Sequence, residues 1–285
     1  MRFNIDLLRN GGARVAVLSS TPVNRFSEAG WERERDNGPL LAMAAGLRAF
    51  CAKEKIPFVD CTSALLDLFA KEPGYGRQGD PIHPGEAANL VVAALLLAQM
   101  KIDPLVSSAT LDARGAVLNT ERCRVTDVRR EGEGLSFVRR DERLPMPFPP
   151  GTRLSLQYLP IVDLNRYLLR VRGLRGEQFE IRIDGEPAGR ATRAELERGL
   201  NVSLLDGPIA KQGERLLVVL RQRHELQKYL WKLRRGWDVA PAVPAWAAKG
   251  EADLLAELAA LDAQVKVGLT PAPHRWEIAP AGPIG

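Results

Sequence analysis

Apolar positions along the chain fall into two rhythms. From Phe3 to Asn10 they recur at helical spacing, Gly11 and Gly12 stop the run, and Arg14 to Ser19 (RVAVLS) predicts a short buried strand. A polar stretch rich in Glu and Arg runs from Asn24 to Gly38. Pro39 then opens a helix, PLLAMAAGLRAFCAKEK, in which Leu40, Met43, Ala44, Leu47 and Phe50 or Cys51 share a face; Pro57 ends it, and PFVDC predicts the next strand. Ser63 to Ala70 predicts a short helix turned inward through Leu65, Leu66 and Phe69, and Gly74 to Pro81 a loop. A further helix is predicted over 84–101, because proline is tolerated in a first helical turn and Glu86 suits its positive end. Two strands separated by helices imply parallel pairing, right-handed crossovers and helices laid over the sheet. Two strands are few for such a layer, so residues 1–103 are expected to be the last part of a doubly wound sheet whose earlier strands lie outside this sequence.

After Asp103-Pro104 the rhythm shortens to two. CRVTDVRR, GLSFVRRD, RLSLQYLP, RYLLRVRGL and QFEIRIDGEPAGRA alternate or nearly so, and Gly and Pro break them apart, which predicts a β-rich domain over 104–206. Asp184-Gly185 is expected to be a type I′ hairpin turn, since both central residues need positive φ. Thr192 to Glu195 (TRAE) has the pattern of a capping box at the start of a short helix reaching Leu200. Residues 207–285 form a third region: amphipathic helices over 208–235 and 251–267, a connector rich in Pro, Ala and Trp, and a proline-rich tail from Thr270 ordered only where it lies on the body. The fold class expected is α/β, a partial three-layer α/β/α domain followed by a smaller β-rich α+β domain and C-terminal helices.

Composition narrows the functional classes. The formal charge of +5 is a small excess over 40 Lys+Arg and 35 Asp+Glu, with no dominating block of like charge, so no nucleic-acid partner is expected. The longest apolar run, Leu90 to Met100, is too short to span a bilayer. No h-region with a small-residue cleavage site opens the chain, and the compartment is not legible. Cys51, Cys61 and Cys123 are odd in number and lack C-x-x-C spacing, which indicates neither a disulfide framework nor a zinc site; no metal or cofactor is expected.

Candidate chemistry centres on Asp80 and His83, in GDPIHPGEAANLVVAALLLAQM. In a Ser-His-Asp mechanism the acid fixes the tautomer of the imidazole and stabilises the imidazolium, while the second ring nitrogen takes the nucleophile's proton. A tight three-residue step stiffened by Pro81 and Pro84 can set a carboxylate beside a ring, at a position where open α/β folds place their sites. Spacing alone leaves a second reading open, with Asp80 as a turn former and His83 as a solvent-facing cap. Ser19 and Ser20 end a strand but lack a G-x-S-x-G elbow, and are read as structural. His224 and His274 are read as surface or packing residues, and Trp231, Trp237 and Trp246 as cover for a core edge. Basic residues of the long helix, Lys211 to Arg235, are read as a solvated outer face whose apolar side docks on the β-rich domain.

DPIHPGEAANLVVAALLLA resembles, in order and context, the last block of the SGNH hydrolases, or GDSL-type esterases and lipases: Asp-x-x-His, then Pro or Asn, small residues and an apolar helix. GARVAVLSSTPVNR is similar to that family's late strand ending in Thr-Pro, and the helix leading to IPFVDCTSALLDL to its next αβ step. The resemblance implies a flavodoxin-like three-layer domain that hydrolyses esters through an acyl-serine, with Asp80 orienting and His83 acting as general base, then acid. The family's Gly-Asp-Ser nucleophile block and early oxyanion blocks have no counterpart in this sequence, so the first third of the catalytic domain is expected to be missing. VDLNRYLLRVRGL, FEIRIDGEPAG and RAELERGLNVSLLDGP resemble, less sharply, the β-rich C-terminal extension of some bacterial SGNH-type proteins, which leaves Asn201 as a buried turn residue.

Two functional readings follow. The first is an SGNH-type acyl or acetyl esterase acting on a small-molecule ester or an acylated carbohydrate; the second is a non-catalytic binding or structural protein on a decayed hydrolase scaffold. An incomplete sheet leaves an open strand edge, which predicts poor solubility or a homodimer through that edge.

Overall fold

The computed structural model describes residues 2–23, 37–71, 83, 85–148, 162–237 and 240–282. These divide into two compact units: one holds the described residues up to Pro104 with 162–164, the other 105–148 and the chain from Asn165 onward. The fold is mixed α/β, with helices and several sheets.

The first unit runs α1 (Arg2–Asn10), β1 (Val17–Leu18), α2 (Gly38–Lys53), β2 (Phe58–Val59), α3 (Cys61–Lys71) and α4 (Glu86–Gln99). Strands β1 and β2 pair in parallel, Val17 beside Phe58 and Leu18 beside Val59, the direction required of strands joined through a helix. Ile5, Cys51 and Ile56 form one apolar cluster with Val15, Val17, Phe50 and Phe58. Leu65, Leu68, Phe69, Ala88 and Val91 form a second, which docks α4 on α3. The strand expected over RVAVLS is only two residues long, and Leu18 is 39% exposed, so its pattern overstated burial. Helix α2 buries Ala44 and Cys51, two turns apart, while Met43 of the expected face is exposed. The loop expected over 74–81 lies outside the described residues, and α4 begins at Glu86 with Gly85 as its N-cap, two residues later than expected.

The second unit contains β3 (Leu105–Asp112), β4 (Ala116–Glu121), β5 (Cys123–Glu131), β6 (Gly134–Asp141), β7 (Arg166–Arg172), β8 (Gln178–Ile183), β9 (Glu186–Thr192), α5 (Arg193–Arg198), β10 (Leu200–Asn201), α6 (Pro208–Arg234), α7 (Glu251–Gly268) and β11 (His274–Pro280). A four-stranded sheet has the order β10-β7-β3-β4 and a five-stranded sheet β5-β6-β11-β8-β9. Among the described residues, β3–β7 is the one parallel pair in these two sheets. Their inner faces share one core: Ala109, Leu111, Tyr167, Leu169 and Val171 from the first sheet, Leu135, Phe137, Phe179, Ile181, Ile183, Trp276 and Ile278 from the second. The period-two pattern of β6, β7 and β8 predicts this burial because alternate side chains leave opposite faces of a strand.

Asp184 (φ 53°) and Gly185 (φ 78°) both take the left-handed conformation of the expected I′ turn. Thr192 accepts from the Glu195 amide while Glu195 accepts from the Thr192 amide, which completes the capping box of α5. RLSLQYLP falls outside the described residues. The tail after Thr270 is a correction: instead of a segment laid on the body, β11 is the central strand of the five-stranded sheet, between β6 and β8. The helices also differ from expectation. Ile209 in the first turn of α6 joins the sandwich core, but farther along Leu226 and Leu230 pack with Leu254 and Leu261 of α7 and with Trp246. Trp246 covers that core, whereas Trp231 and Trp237 are about half exposed and meet edge to face at 5.2 Å, with the Arg235 guanidinium 4.7 Å from the Trp231 ring centre.

Candidate active site

Because β1 and β2 run in parallel, their carboxyl ends set Ser19 beside Asp60. Ser19 is 6% exposed; its Oγ accepts from the Thr62 amide at 2.9 Å and donates toward Asp60 Oδ1 at 3.3 Å. Thr62 Oγ1 donates to the Ser20 carbonyl at 2.7 Å. Asp60 immediately precedes α3 and does the work of an N-cap, taking the Ser63 amide at 3.0 Å and the Ser63 hydroxyl at 2.9 Å, with Arg48 on its second oxygen. Burial opposes ionisation of Asp60, but the Ser63 amide and hydroxyl and the Arg48 charge outweigh it and hold the carboxyl below its ordinary range. The adjacent Cys61 thiol is pushed up, by burial and then by the Asp60 charge, so it is no activated nucleophile. Asn37, 5% exposed, clamps the chain leaving this edge: its Oδ1 takes the Val23 amide at 2.8 Å and its Nδ2 gives to the Val23 carbonyl at 2.9 Å.

These contacts make Ser19 a strand-end lock. A nucleophilic serine needs a base within hydrogen-bond reach, and no histidine reaches Ser19 among the described residues. The structural reading of Ser19 from sequence agrees with this geometry.

His83 sits in a bend, exposed to solvent, two residues before the N-cap of α4. Its helix is anchored by Ala88 and Val91 against Leu65, Leu68 and Phe69. Asp80 lies outside the described residues, so the geometry of the Asp80 and His83 pair is not among the contacts described. His224 is exposed on α6.

His274, in contrast, is buried in β11, with Nδ1 2.7 Å from Asp184 Oδ2 and a buried Nε2 that has no partner among the described residues. The same carboxylate takes the Arg275 amide at 2.8 Å, so it ties the hairpin turn to β11. A carboxylate on Nδ1 fixes an imidazole tautomer, but here the second nitrogen is closed off from solvent, which suits packing rather than proton transfer.

The second unit also holds a buried polar network that the sequence reading missed. Arg139 is fully buried: Nε donates to Asp141 Oδ1 at 2.9 Å, Nη2 to Ser107 Oγ at 2.7 Å and Nη1 to the Leu168 carbonyl at 3.1 Å. Ser107 Oγ donates a hydrogen bond to Asp141 Oδ1 and the Tyr167 hydroxyl donates to Oδ2, each at 2.5 Å. The guanidinium also lies 4.3 Å from the Tyr167 ring centre. Burial, with a further contribution from the Asp141 charge, pushes the Tyr167 hydroxyl well up despite the opposing Arg139 charge. Each guanidinium nitrogen and each carboxylate oxygen has a partner, and the partners come from β6, β3 and β7, which makes the network a structural clasp between the two sheets. The missed signal was the period of two itself: Leu135, Phe137, Arg139 and Asp141 stand on one face of β6, so two charges belonged to the apolar side.

Among the described residues no group of three His, Cys, Asp or Glu could hold a metal ion, and no helix is long and apolar enough to cross a membrane.

Neither the protein-family models nor the curated proteins match this chain. Among solved structures it is similar to a gut microbial diltiazem-metabolizing enzyme, with a TM-score of 0.72 and 19% identity over 98% of this chain and 76% of that one. At that identity the likeness is one of fold.

Proposed function

We propose that residues 1–103 are the C-terminal part of the catalytic domain of an SGNH/GDSL-type ester hydrolase, which takes small acyl or acetyl esters through a Ser-His-Asp mechanism. In this reading Asp80 accepts a hydrogen bond from one nitrogen of His83 and holds its tautomer. The other nitrogen takes the proton of a seryl hydroxyl as that oxygen attacks the ester carbonyl, then returns it to the leaving alcohol. Ser19 is not that serine, because its hydroxyl is already engaged with Asp60 and Thr62. The observation that carries the proposal is the placement of His83, exposed in the bend leading into α4, within the run Asp80-Pro81-Ile82-His83-Pro84-Gly85. Fold likeness to an enzyme that metabolizes diltiazem supports a small-molecule substrate.

The test is hydrolysis of p-nitrophenyl acetate, and of diltiazem as a drug-sized acetate ester, by the full gene product. His83→Ala is expected to lower kcat by about 10³-fold or more, and Asp80→Asn by a comparable factor, with the melting temperature unchanged. Wild-type turnover in His83→Ala would remove the proposal. Labelling of a serine by a fluorophosphonate that survives in Ser19→Ala and fades in His83→Ala is the second expected result.

A further inference from the structure

Three arginines from separate turns meet at one end of the β-rich unit. Arg114 belongs to the β3–β4 turn, Arg130 to the end of β5 and Arg175 to the segment after β7; with Asp112, Ala113 and Glu133 they line a cavity of about 290 Å³. The walls come from both sheets, since β3 and β7 belong to one and β5 and β6 to the other. Local hydrogen bonds hold the turns in place. Asp112 Oδ1 accepts from the Arg114 amide at 2.7 Å, the Ala113 amide gives to the Arg172 carbonyl at 2.8 Å, and Arg130 Nε gives to the Gly132 carbonyl at 2.9 Å.

Arg114, Arg130 and Arg175 are exposed to solvent, yet from three separate turns they line one concavity, where they outnumber the carboxylates beside them by three to two. A guanidinium offers parallel N–H donors that match the oxygen pairs of a carboxylate, sulfate or phosphate. Asp112 and Glu133 are acceptors, useless to a bare anion and repelled by it, but suited to hydroxyl donors. The only apolar side chain among these six residues is that of Ala113. Small-molecule sites are mostly apolar and span about 300–1,000 Å³, so a polar site near that lower bound fits a small, hydroxylated, charged ligand.

We propose that this cavity binds an acidic monosaccharide unit, a sugar ring bearing a carboxylate, sulfate or phosphate, with the arginines on the acid and Asp112 and Glu133 on hydroxyls. The site uses no residue of the proposed hydrolase domain, so its test is independent of ester hydrolysis. Titration calorimetry of the full chain at fixed ionic strength would compare glucuronate, glucose 6-sulfate and glucose 6-phosphate with glucose and sodium sulfate. At least one acidic sugar is expected to bind saturably and at least tenfold more tightly than glucose or sulfate, and the arm that binds identifies the acid. Arg114→Gln with Arg175→Gln should cost that sugar at least tenfold in affinity without changing the melting temperature or far-ultraviolet spectrum. Glu133→Gln should weaken the sugar while leaving sulfate unaffected or tighter. Absence of saturable binding by all three acidic sugars, unchanged affinity in the double variant, or sulfate binding as tightly as the best sugar would each overturn the proposal.

Discussion

Arg139 and Asp141, two residues apart on β6, form a salt bridge of 2.9 Å with side chains 0% and 6% exposed. Removing charges of both signs from water is costly, and the cost is met only because every guanidinium nitrogen and both carboxylate oxygens have partners. Arg139→Met strands the carboxylate, and is expected to cost about 3–5 kcal/mol, read as a fall in the urea midpoint. Arg139→Lys should rescue this only in part, since one ammonium cannot reproduce a planar fork reaching Asp141, Ser107 and the Leu168 carbonyl. A loss below about 1 kcal/mol in Arg139→Met would show that the network does not hold the sheets together.

Tyr167 gives that network a pH signature. Its folded-state pKa lies well above that of a free tyrosine, so the folded protein holds this proton more tightly than the unfolded chain. Stability from this group is complete below about pH 10 and declines as pH rises beyond it, because only the unfolded state can release the proton cheaply. Wild type and Tyr167→Phe are expected to gain the same phenolate absorbance at 295 nm through pH 10. The wild type should gain its additional signal only together with loss of the far-ultraviolet spectrum.

Much of the fold was legible because alternation reports burial directly where one strand face is apolar. This held for β6, β7 and β8, and turn chemistry marked Asp184-Gly185 and Thr192. It failed for β3 and β4 for opposite reasons. Strand β3 buries Ser107, Ala109 and Leu111, a face too small and polar to register as hydrophobic, whereas all six residues of β4 are exposed, so it has no inward face to alternate. Strand β11 has prolines at and before its ends, and its place between β6 and β8 depends on pairings with residues some 90 or more positions away. Of the candidate site, the structural rather than nucleophilic role of Ser19 was legible from the missing elbow, but its contacts with Asp60 and Thr62 were not. The contact of His274 with Asp184 was not, since it joins residues 90 positions apart.

Gly134 tests the placement of β11. A Cβ added there would lie 2.2 Å from the Ile278 carbonyl oxygen, in backbone rather than in a flexible side chain. Gly134→Ala must therefore push β11 away from β6 where Leu135 and Ile278 pair. The expected cost is about 2–4 kcal/mol in denaturant unfolding, with faster hydrogen exchange at the Trp276 and Ile278 amides. A variant as stable as the wild type would place β11 elsewhere.

Asp60 carries the last prediction, which separates a structural carboxylate from a catalytic one. Its pKa is depressed in the folded state, so its contribution to stability is present above the unfolded value near pH 4 and is lost as pH falls through the lower folded value. Asp60→Asn keeps the shape but loses the charge that meets Arg48 and the Ser63 amide. It is expected to lose about 1–3 kcal/mol at pH 7 and to show a shallower fall in stability than the wild type below pH 4. Ser19→Ala, which removes an acceptor from the buried Thr62 amide, should destabilise by a similar amount. Neither change should alter the pH profile of ester hydrolysis near neutrality, because in the proposed mechanism that profile belongs to His83 and Asp80. A shifted profile in Asp60→Asn would instead assign the strand-end carboxylate a part in the chemistry.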